Sequence, residues 1–305
     1  MQKTTVAVLL TCGFTEHFHS IPNTTYKALL LLNGRPLADY VSEALCNSDV
    51  EKVFVIQCPG EELEKVLQKN DKLVFLLCDE EKPSLADSLY CSIRGLLDYY
   101  GEEKLADKYI MFVPCDIPAV KPDDFNAIIA QVSNYDVDFY ATFIDRGLLR
   151  NSFPQRHFRS IYFHDLGGYF SEQGVNFVSG RLFGFDVDKD GTRQVAVFDH
   201  DRHLLLGLSE IISDFRSSRH TSFSLILFFS RLIFERLILR GGIGITARFV
   251  YKWLSHRLTV PLVEQLLYRA LNVKFSLVIS QSIAFSADVD KPSDLSDVQK
   301  LLHQN

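Results

Sequence analysis

The sequence predicts an α/β protein whose mostly parallel β-sheet is covered by helices on both faces. From residue 4 to about 145, short β-branched or aromatic runs alternate with longer runs of helical periodicity. Strands joined by crossover helices form parallel sheets that are buried on both faces. The chain has 305 residues and is 47% hydrophobic, which is ample for a hydrophobic core in one large or two modest domains.

Five segments in this first part have the length and composition of strands. They are residues 4–11, 52–57, 72–78, 108–114 and 136–144. Between them, apolar residues at spacings of three and four predict helices over 36–47, 61–69, 84–100 and 122–134. Pro122 suits a first helical position. Asp123 and Asp124, which follow it, are stabilised by the positive end of the helix dipole. Ligands of such sheets gather at the carboxyl ends of the strands, where we expect the functional site.

The pattern changes after residue 150. A loop-rich region contains two predicted strands, 157–163 and 176–186, and almost all of 204–272 has helical periodicity. Residues 273–280 then return as a strand, and 288–304 end the chain with a helix that has an acidic start. We interpret this as an α/β domain over residues 1–200, a helical cap or insertion over 201–272, and a return to the α/β domain over 273–305.

Composition excludes several classes of protein. With 16 Gly, 10 Pro and 23% charged residues, the chain is neither collagen-like nor of low complexity nor wholly disordered. A net charge of −6 and a pI near 5.9 argue against nucleic acid as the principal partner. The six cysteines form no CxxC pair, so we predict a reduced cytoplasmic protein without a zinc or disulfide framework. Residues 1–14 lack a clear cleavage site and are interpreted as a first strand rather than a signal peptide.

Three segments place chemically useful side chains at predicted strand ends or beside them. Lys27 precedes a predicted apolar strand, a Gly-Arg-Pro turn and an amphipathic helix, and Asp116 directly follows strand 108–114. Asp288 and Asp290 follow strand 273–280. Carboxylates from different strand ends can meet over the sheet edge, and Mg²⁺ prefers one or two of them together with water and substrate phosphates. A neighbouring lysine would complete a site for a nucleoside triphosphate. Taken singly, Lys27 also fits a solvated lysine, and the aspartates also fit turn and helix caps.

In their order along the chain, these motifs resemble those of the MobA-like nucleotidyltransferases, which have a GT-A-type, Rossmann-like fold. Lys27-Ala28-Leu29-Leu30 with Gly34-Arg35-Pro36 is similar to the family's Pro-Lys-x-Leu and Gly-Lys-Pro. Cys115-Asp116-Ile117-Pro118 is similar to its metal-binding Asp motif, and residues 288–295 are similar to its closing Asp-x-Asp-Thr-Pro-Glu-Asp-Leu. The resemblance covers residues 4–145 and 273–300 well and 170–187 less well. Including the helical block, the chain looks closest to a poorly characterised bacterial branch.

The resemblance implies roles for individual residues. Lys27 and Asp116 would be catalytic, and Asp116 and Asp290 would hold Mg²⁺. Gly174 and Asn176 would contact the ribose or the acceptor. The nucleotide-binding residues would be Leu10, Thr11, Cys12, Gly13, Lys27, Ser84 and Ser88.

One loop departs from the family pattern. Where the family has Gly-x-Gly-x-Arg, residues 10–19 contain one glycine and no arginine, and Gly13 and Lys27 lie a little further apart than usual. Backbone amides and an arginine at this place would grip a triphosphate. Glu16 would repel phosphates, although His17 and His19 could replace some of the missing donors. The altered loop leaves room for a catalytically weakened member of the family, and the sequence does not decide whether it still binds a triphosphate.

The function implied is transfer of a nucleoside monophosphate from an NTP to a phosphorylated acceptor, such as a sugar phosphate, with release of pyrophosphate. A glycosyltransferase of the same fold is a second hypothesis, although Asp116-Ile117-Pro118 lacks the Asp-x-Asp that such enzymes present after a mid-chain strand. A third hypothesis is a catalytically weakened protein that binds a nucleotide or a membrane. No oligomeric state is predicted.

The helical block differs in charge from the rest of the chain. Residues 216–257 carry a net charge of +7, which leaves −13 for the remainder. Residues 222–240 are strongly apolar, but their charged residues leave no uncharged run of the ~20 residues that a membrane span needs. A buried cap helix and contact with an anionic membrane surface or a phosphorylated acceptor are both compatible with this pattern. We therefore expect a cytoplasmic protein with peripheral membrane contact as one alternative.

Overall fold

The computed structural model describes residues 3–13, 26–59, 63–79, 83–132, 137–187, 193–197 and 243–303. The strands are β1 (Thr4–Leu10), β2 (Leu31–Leu32), β3 (Arg35–Pro36), β4 (Val53–Gln57), β5 (Leu73–Leu77), β6 (Lys108–Pro114), β7 (Phe139–Asp145), β8 (Ile161–Phe163), β9 (Gly168–Ser179), β10 (Phe183–Val187), β11 (Arg193–Val197) and β12 (Phe275–Ser280). The α-helices are α1 (Leu37–Cys46), α2 (Leu63–Val66), α3 (Leu85–Tyr100), α4 (Glu102–Ala106), α5 (Pro122–Val132), α6 (Arg146–Ser152), α7 (Ile243–Leu254), α8 (Val260–Leu271) and α9 (Pro292–His303).

Within the described residues, the main sheet has the strand order β12-β7-β9-β6-β1-β4-β5, and β8 pairs with β9. β1 runs parallel to β4 and β6, β4 parallel to β5, and β12 parallel to β7. β9 is antiparallel to both of its neighbours, β6 and β7. The carboxyl ends of β1 and β6 are therefore adjacent. β12, the last strand in the chain, forms the edge of the sheet opposite β5.

Both faces of the sheet are covered, as the alternation along β1 shows. Val6 and Val8 belong to one hydrophobic cluster, and Ala7 and Leu9 belong to the other. The cluster with Ala7 includes side chains of α1, α5 and α9, whereas the cluster with Val6 includes side chains of α3 and α8. Side chains alternate between the two faces of a strand, so a strand that is covered on both faces is apolar at most successive positions. The predicted α/β class with a mostly parallel sheet is confirmed.

Three predicted strands differ from the structure. The strand predicted after Lys27 is limited to Leu31–Leu32, because a 3₁₀ turn covers Lys27–Leu29. Residues 176–186 do not form one strand, because β9 begins at Gly168 and ends at Ser179, a 3₁₀ turn covers Gly180–Leu182, and β10 follows. Polar residues 171–173 and a register shift in the pairing of β9 with β7 interrupt the apolar alternation that would indicate a strand. The strand predicted over 157–163 is limited to Ile161–Phe163, and Phe158 before it packs against the ring of Phe153.

After residue 152, the structure describes residues 153–187, 193–197 and 243–303. The helix predicted over 222–240, and residues 216–242 of the predicted basic region, lie outside the described residues. Phe249 of α7 and Leu262 and Leu266 of α8 are buried in the same cluster as Val6, so these helices pack on that face. In the described part of the chain, no helix combines the length and apolar content that a membrane crossing requires.

The 3₁₀ turn after β9 gives a stability prediction. A Cβ added at Gly180 would overlap the backbone carbonyl of Leu105 at the end of α4, so this close approach requires glycine. We expect Gly180→Ala to lower the free energy of unfolding by about 2 kcal/mol, because backbone must move to relieve the overlap. Gly244→Ala is the matched control, since a Cβ at Gly244 meets nothing within 4 Å. Urea denaturation measures both variants, and equal stabilities would contradict the packing described.

Candidate active site

Two loops meet at the carboxyl ends of the central strands. Cys115 and Asp116 directly follow β6, and the Cys115 N–H donates to the Leu10 carbonyl at the end of β1, at 3.2 Å. Val289 lies in the segment after β12, and its N–H donates to the Asp116 carbonyl at 2.9 Å. β12 is three strands away from β6, so the segment after it crosses roughly 14 Å over the sheet edge at about 4.8 Å per strand.

Side-chain bonds from β9 hold this crossing segment. The Gln173 amide donates to the Ser282 carbonyl at 2.7 Å and to the Ser286 hydroxyl at 3.2 Å. Ser282 also begins a 3₁₀ turn, Ile283–Ser286, by accepting the N–H of Ala284. The crossing segment is thus bonded to the sheet before it reaches Asp288.

Lys27, Asp116 and Asp290 form a single ionic group. The Lys27 ammonium lies 3.2 Å from Asp116 Oδ2 and 2.6 Å from Asp290 Oδ1. The side chains are 17%, 16% and 34% exposed, in that order. Burial opposes the charge of the lysine, but the two carboxylates outweigh burial and raise the pKa of Lys27 above its ordinary value. The lysine therefore stays protonated at neutral pH.

The backbone of the predicted nucleotide loop positions Lys27. The Lys27 N–H donates to the Gly13 carbonyl at 2.7 Å, and a Cβ added at Gly13 would lie in van der Waals contact with the aliphatic part of the Lys27 side chain. Thr11 and Cys12 are buried, and the Thr11 hydroxyl donates to the Ile56 carbonyl at the end of β4. These two side chains serve the packing between β1 and β4, which leaves Gly13 as the exposed residue next to Lys27.

The carboxylate pair fits a hard divalent cation. Asp116 and Asp290 present oxygens to one ammonium nitrogen, so both are aimed at a common cation position. Among the described residues, no group of three or more His, Cys, Asp or Glu side chains could hold a metal ion by itself. Mg²⁺ commonly binds one or two carboxylates and completes its shell with water and substrate phosphates. Asp116 and Asp290 thus suit a Mg²⁺ that arrives with a phosphorylated ligand.

Arg156, which the sequence analysis did not single out, supports the loop that carries Asp290. Its guanidinium donates to the carbonyl and carboxylate of Asp288 at 3.1 and 3.2 Å. It also lies 3.5 Å from both Asp294 and Asp297 at the start of α9. Asp294 in turn accepts the N–H of Asp290 at 3.0 Å. A lone arginine in a loop gives no sequence pattern that would reveal this role.

The charges around Asp288 show why an arginine is needed there. Burial, followed by the negative charges of Asp290 and Asp116, raises the pKa of Asp288, while Arg156 and Lys27 act in the opposite direction. Without Arg156, Lys27 would be the remaining cation beside the three carboxylates of Asp116, Asp288 and Asp290.

Ser84 and Ser88 lie at the start of α3. Ser84 caps the helix in a capping box, in which its hydroxyl accepts the Asp87 N–H and Asp87 accepts the Ser84 N–H. The Ser88 side chain is buried, and its hydroxyl donates to the Ser84 carbonyl at 3.0 Å. Both hydroxyls bond to groups at the start of α3, and their predicted role in nucleotide binding stays a prediction.

Gly174 and Asn176 form a separate cluster with Glu172 on β9. The Gly174 N–H and the Asn176 amide both donate to Glu172 Oε1, at 2.6 and 3.3 Å. Gly174 has φ of 72° in the register shift of β9 against β7, a conformation that favours glycine. Asn176 pairs with Phe112 of β6, four residues before Asp116. The bulge thus gathers three polar groups near the end of β6, and Glu172 was not predicted.

Comparison with known proteins gives a family match and a fold match. The model of the MobA-like NTP transferase domain matches residues 7–179. A hypothetical transferase from Thermus thermophilus has a TM-score of 0.64 at 16% identity, over 96% of this chain and 99% of that one. A CMP:2-keto-3-deoxy-manno-octonic acid synthetase complexed with CTP has a TM-score of 0.52 at 13% identity, over 99% of each chain. No curated protein gives a significant match. At these identities, the structural likenesses show the fold alone.

The contacts of Arg156 generate a stability prediction. Arg156→Ala would leave the Asp288, Asp294 and Asp297 carboxylates without their shared cation, and we expect the free energy of unfolding to fall by about 2–3 kcal/mol. Arg150→Ala, at an exposed position of α6, is the control and should change it little. Chemical denaturation at neutral pH tests the pair. A loss no larger than that of the control would refute the supporting role.

Proposed function

The chain belongs to the MobA-like NTP transferase family, and from this premise we propose that it transfers a nucleoside monophosphate from an NTP to a phosphorylated acceptor and releases pyrophosphate. The observation that carries the proposal is the Lys27 ammonium held between Asp116 and Asp290 at the carboxyl ends of the central strands. Ligands of open α/β sheets bind at this edge.

Lys27 would stabilise the pyrophosphate as it leaves. Negative charge develops on the leaving phosphates during phosphoryl transfer, and a preorganised cation in a partly buried site opposes it effectively. The carboxylates that now contact Lys27 keep it charged and in place. When a nucleotide binds, phosphate oxygens can replace one carboxylate as the partner of the ammonium.

Asp116 and Asp290 would hold Mg²⁺ together with the phosphates of the nucleotide. The bound ion would supply charge neutralisation at the phosphates. The two carboxylates come from segments that are fixed to each other by the Val289–Asp116 backbone bond and by Arg156. Their oxygens therefore need little rearrangement to accept the ion.

The acceptor needs no general base from the protein. A phosphate monoester loses its second proton near pH 6, so its oxygen is already an anionic nucleophile at neutral pH. The task of the chain is then to position the acceptor in line with the α-phosphorus. Glu172 and Asn176 support a role in binding hydroxyls of the ribose or of the acceptor, because the negative charge of Glu172 would repel a phosphate.

Turnover tests this proposal directly. We expect the protein to release pyrophosphate from at least one NTP when Mg²⁺ and a matching phosphorylated acceptor are present. Asp116→Asn and Asp290→Asn should each lower kcat/KM by about 100-fold or more, because each removes a ligand charge at the phosphates. Asp123→Asn, at an exposed position of α5, is the matched control and should leave kcat/KM unchanged.

The same assay separates the alternatives. Activity that survives both Asp116→Asn and Asp290→Asn would refute the site assignment. Consumption of a nucleotide sugar, without pyrophosphate release from NTPs, would support a glycosyltransferase. Nucleotide-dependent stabilisation against heat without turnover across the panel would support a binding protein that has lost activity, as the single glycine and missing arginine of the loop before Lys27 would permit.

A second candidate, peripheral membrane contact, rests on α7. Tyr251 and Leu254 are 62% and 65% exposed, and exposed Arg248 lies on the same helix. Exposed aromatic and aliphatic side chains beside basic ones are typical of helices that lie on anionic membranes. This feature supports such contact by the described part of the basic region.

Liposome sedimentation checks the membrane candidate. We expect the protein to co-sediment with anionic liposomes at low salt and to be released as salt screens the charges. The double variant Tyr251→Ser with Leu254→Ser should lose this binding, whereas Tyr90→Ser, an exposed aromatic position of α3, should keep it. Protein that stays in the supernatant at low salt would exclude membrane contact.

A further inference from the structure

A pair of thiols faces each other outside the candidate active site. Cys78 directly follows β5, and Cys91 lies in α3, and their Sγ atoms are 2.8 Å apart. Cys78 is fully buried, whereas Cys91 keeps partial access to solvent. One sulfur is thus open to a small oxidant, and the other is its direct neighbour.

The packing of α3 against β5 fixes this juxtaposition. A Cβ added at Gly95 would overlap the side chain of Leu76, so helix and strand are in close contact at this level. Cys91 lies four residues before Gly95, a rise of about 6 Å along a helix. Cys78 lies two residues after Leu76, a rise of about 6.6 Å along a strand. Because the two rises are similar, Cys78 and Cys91 lie opposite each other, about 6 Å along the elements from the contact of Gly95 with Leu76.

The other thiols nearby do not turn this region into a metal site. Cys12 and Cys58 follow β1 and β4 and are buried, and a hydrogen bond from Cys58 lowers the pKa of Cys12 although burial opposes it. In the parts of the chain that the structure describes, no three Cys, His, Asp or Glu side chains have a geometry that could hold a metal ion. A two-cysteine reaction is what the geometry favours.

We propose that Cys78 and Cys91 are a redox-active pair that forms a reversible disulfide under peroxide. Hydrogen peroxide oxidises the accessible Cys91 sulfur to a sulfenic acid and is itself reduced to water. The Cys78 sulfur then attacks the Cys91 sulfur, the S–S bond forms, and a second water leaves with the proton of Cys78. Two thiols and one peroxide thus give one disulfide and two waters, and a dithiol reductant reverses the reaction.

The cross-link would tie the end of β5 to the first half of α3. It would close a ring of chain from residue 78 to residue 91, which includes the capped helix start at Ser84. A cross-link stabilises a protein mainly by restricting its unfolded chain. Burial, together with the neighbouring Cys78, raises the pKa of Cys91 to about 12, so Cys91 rests as a thiol and reacts with peroxide only through its small thiolate fraction.

Peptide mapping of the full-length protein tests the proposal. The protein is treated with hydrogen peroxide, its remaining thiols are blocked, and it is digested with a Glu-specific protease, which can cut at Glu80 and Glu81 between the two cysteines. We expect a disulfide-linked pair of peptides containing Cys78 and Cys91 that disappears on reduction. A link between Cys12 and Cys58, or over-oxidised Cys91 without any link, would overturn the proposal.

Thermal unfolding gives an independent readout. Oxidation should raise the Tm of the wild-type protein by about 5 °C, and this rise should be absent in Cys91→Ser and in Cys78→Ala. Cys46→Ser is the matched control, because Cys46 is a thiol of α1 outside the pair, and it should keep the rise. A wild-type Tm that oxidation leaves unchanged or lowers would refute a cross-link of this kind. Neither readout depends on nucleotidyl transfer, so the two proposals fail separately.

Discussion

The ammonium of Lys27 joins parts of the chain that are far apart in sequence. It contacts Asp116, 89 residues away, and Asp290, 263 residues away. Three partly desolvated charges are stable together only as a set, because removing one partner leaves another charge buried without compensation. The set can form only when β6 is in the centre of the sheet and the segment after β12 has crossed to it. The ionic group thus depends on the complete topology of the sheet.

Side chains of the surrounding segments hold the backbone that carries this ionic group. Gln173 holds the crossing segment to β9, Arg156 holds the Asp288 loop to the start of α9, and Asp294 accepts the Asp290 N–H. Interactions of this kind orient the side chains that would bind a metal or a phosphate. The antiparallel β9 contributes twice, since its bulge also gathers Glu172, Gly174 and Asn176 near the end of β6. One irregular strand therefore supports both the ionic group of Lys27 and the cluster around Glu172.

Periodicity was sufficient to predict the parallel part of the sheet. β1, β4, β5 and β6 are apolar runs of strand length between amphipathic helices, and they lie within a residue or so of the predicted bounds. β9 was missed in part, because Ser171, Glu172 and Gln173 interrupt its apolar pattern for reasons that belong to the tertiary structure. The ends of regular strands can be predicted from the local sequence pattern. The residues that contact a bulge cannot, because they are distant in sequence.

In the candidate site too, residues in local motifs could be predicted, and residues defined by tertiary contacts could not. Lys27, Asp116 and Asp290 each stand in a local motif, and the structure brings them together. Arg156 and Glu172 stand in no motif, since their role comes only from what surrounds them in the folded chain. The juxtaposition of Cys78 and Cys91 likewise follows from the close approach of Gly95 to Leu76, which a sequence pattern does not contain. Local chemistry could be predicted, and the interactions that support it could not.

We expect Asp116 and Asp290 to bind a divalent cation together with a nucleotide beside Lys27. A crystal structure with Mn²⁺ and a non-hydrolysable NTP analogue, recorded at a wavelength where manganese scatters anomalously, tests this most directly. We expect one anomalous peak in contact with both carboxylates and with a phosphate oxygen, and we expect Lys27 to contact the phosphates. A nucleotide bound with its metal away from Asp116 and Asp290 would contradict it.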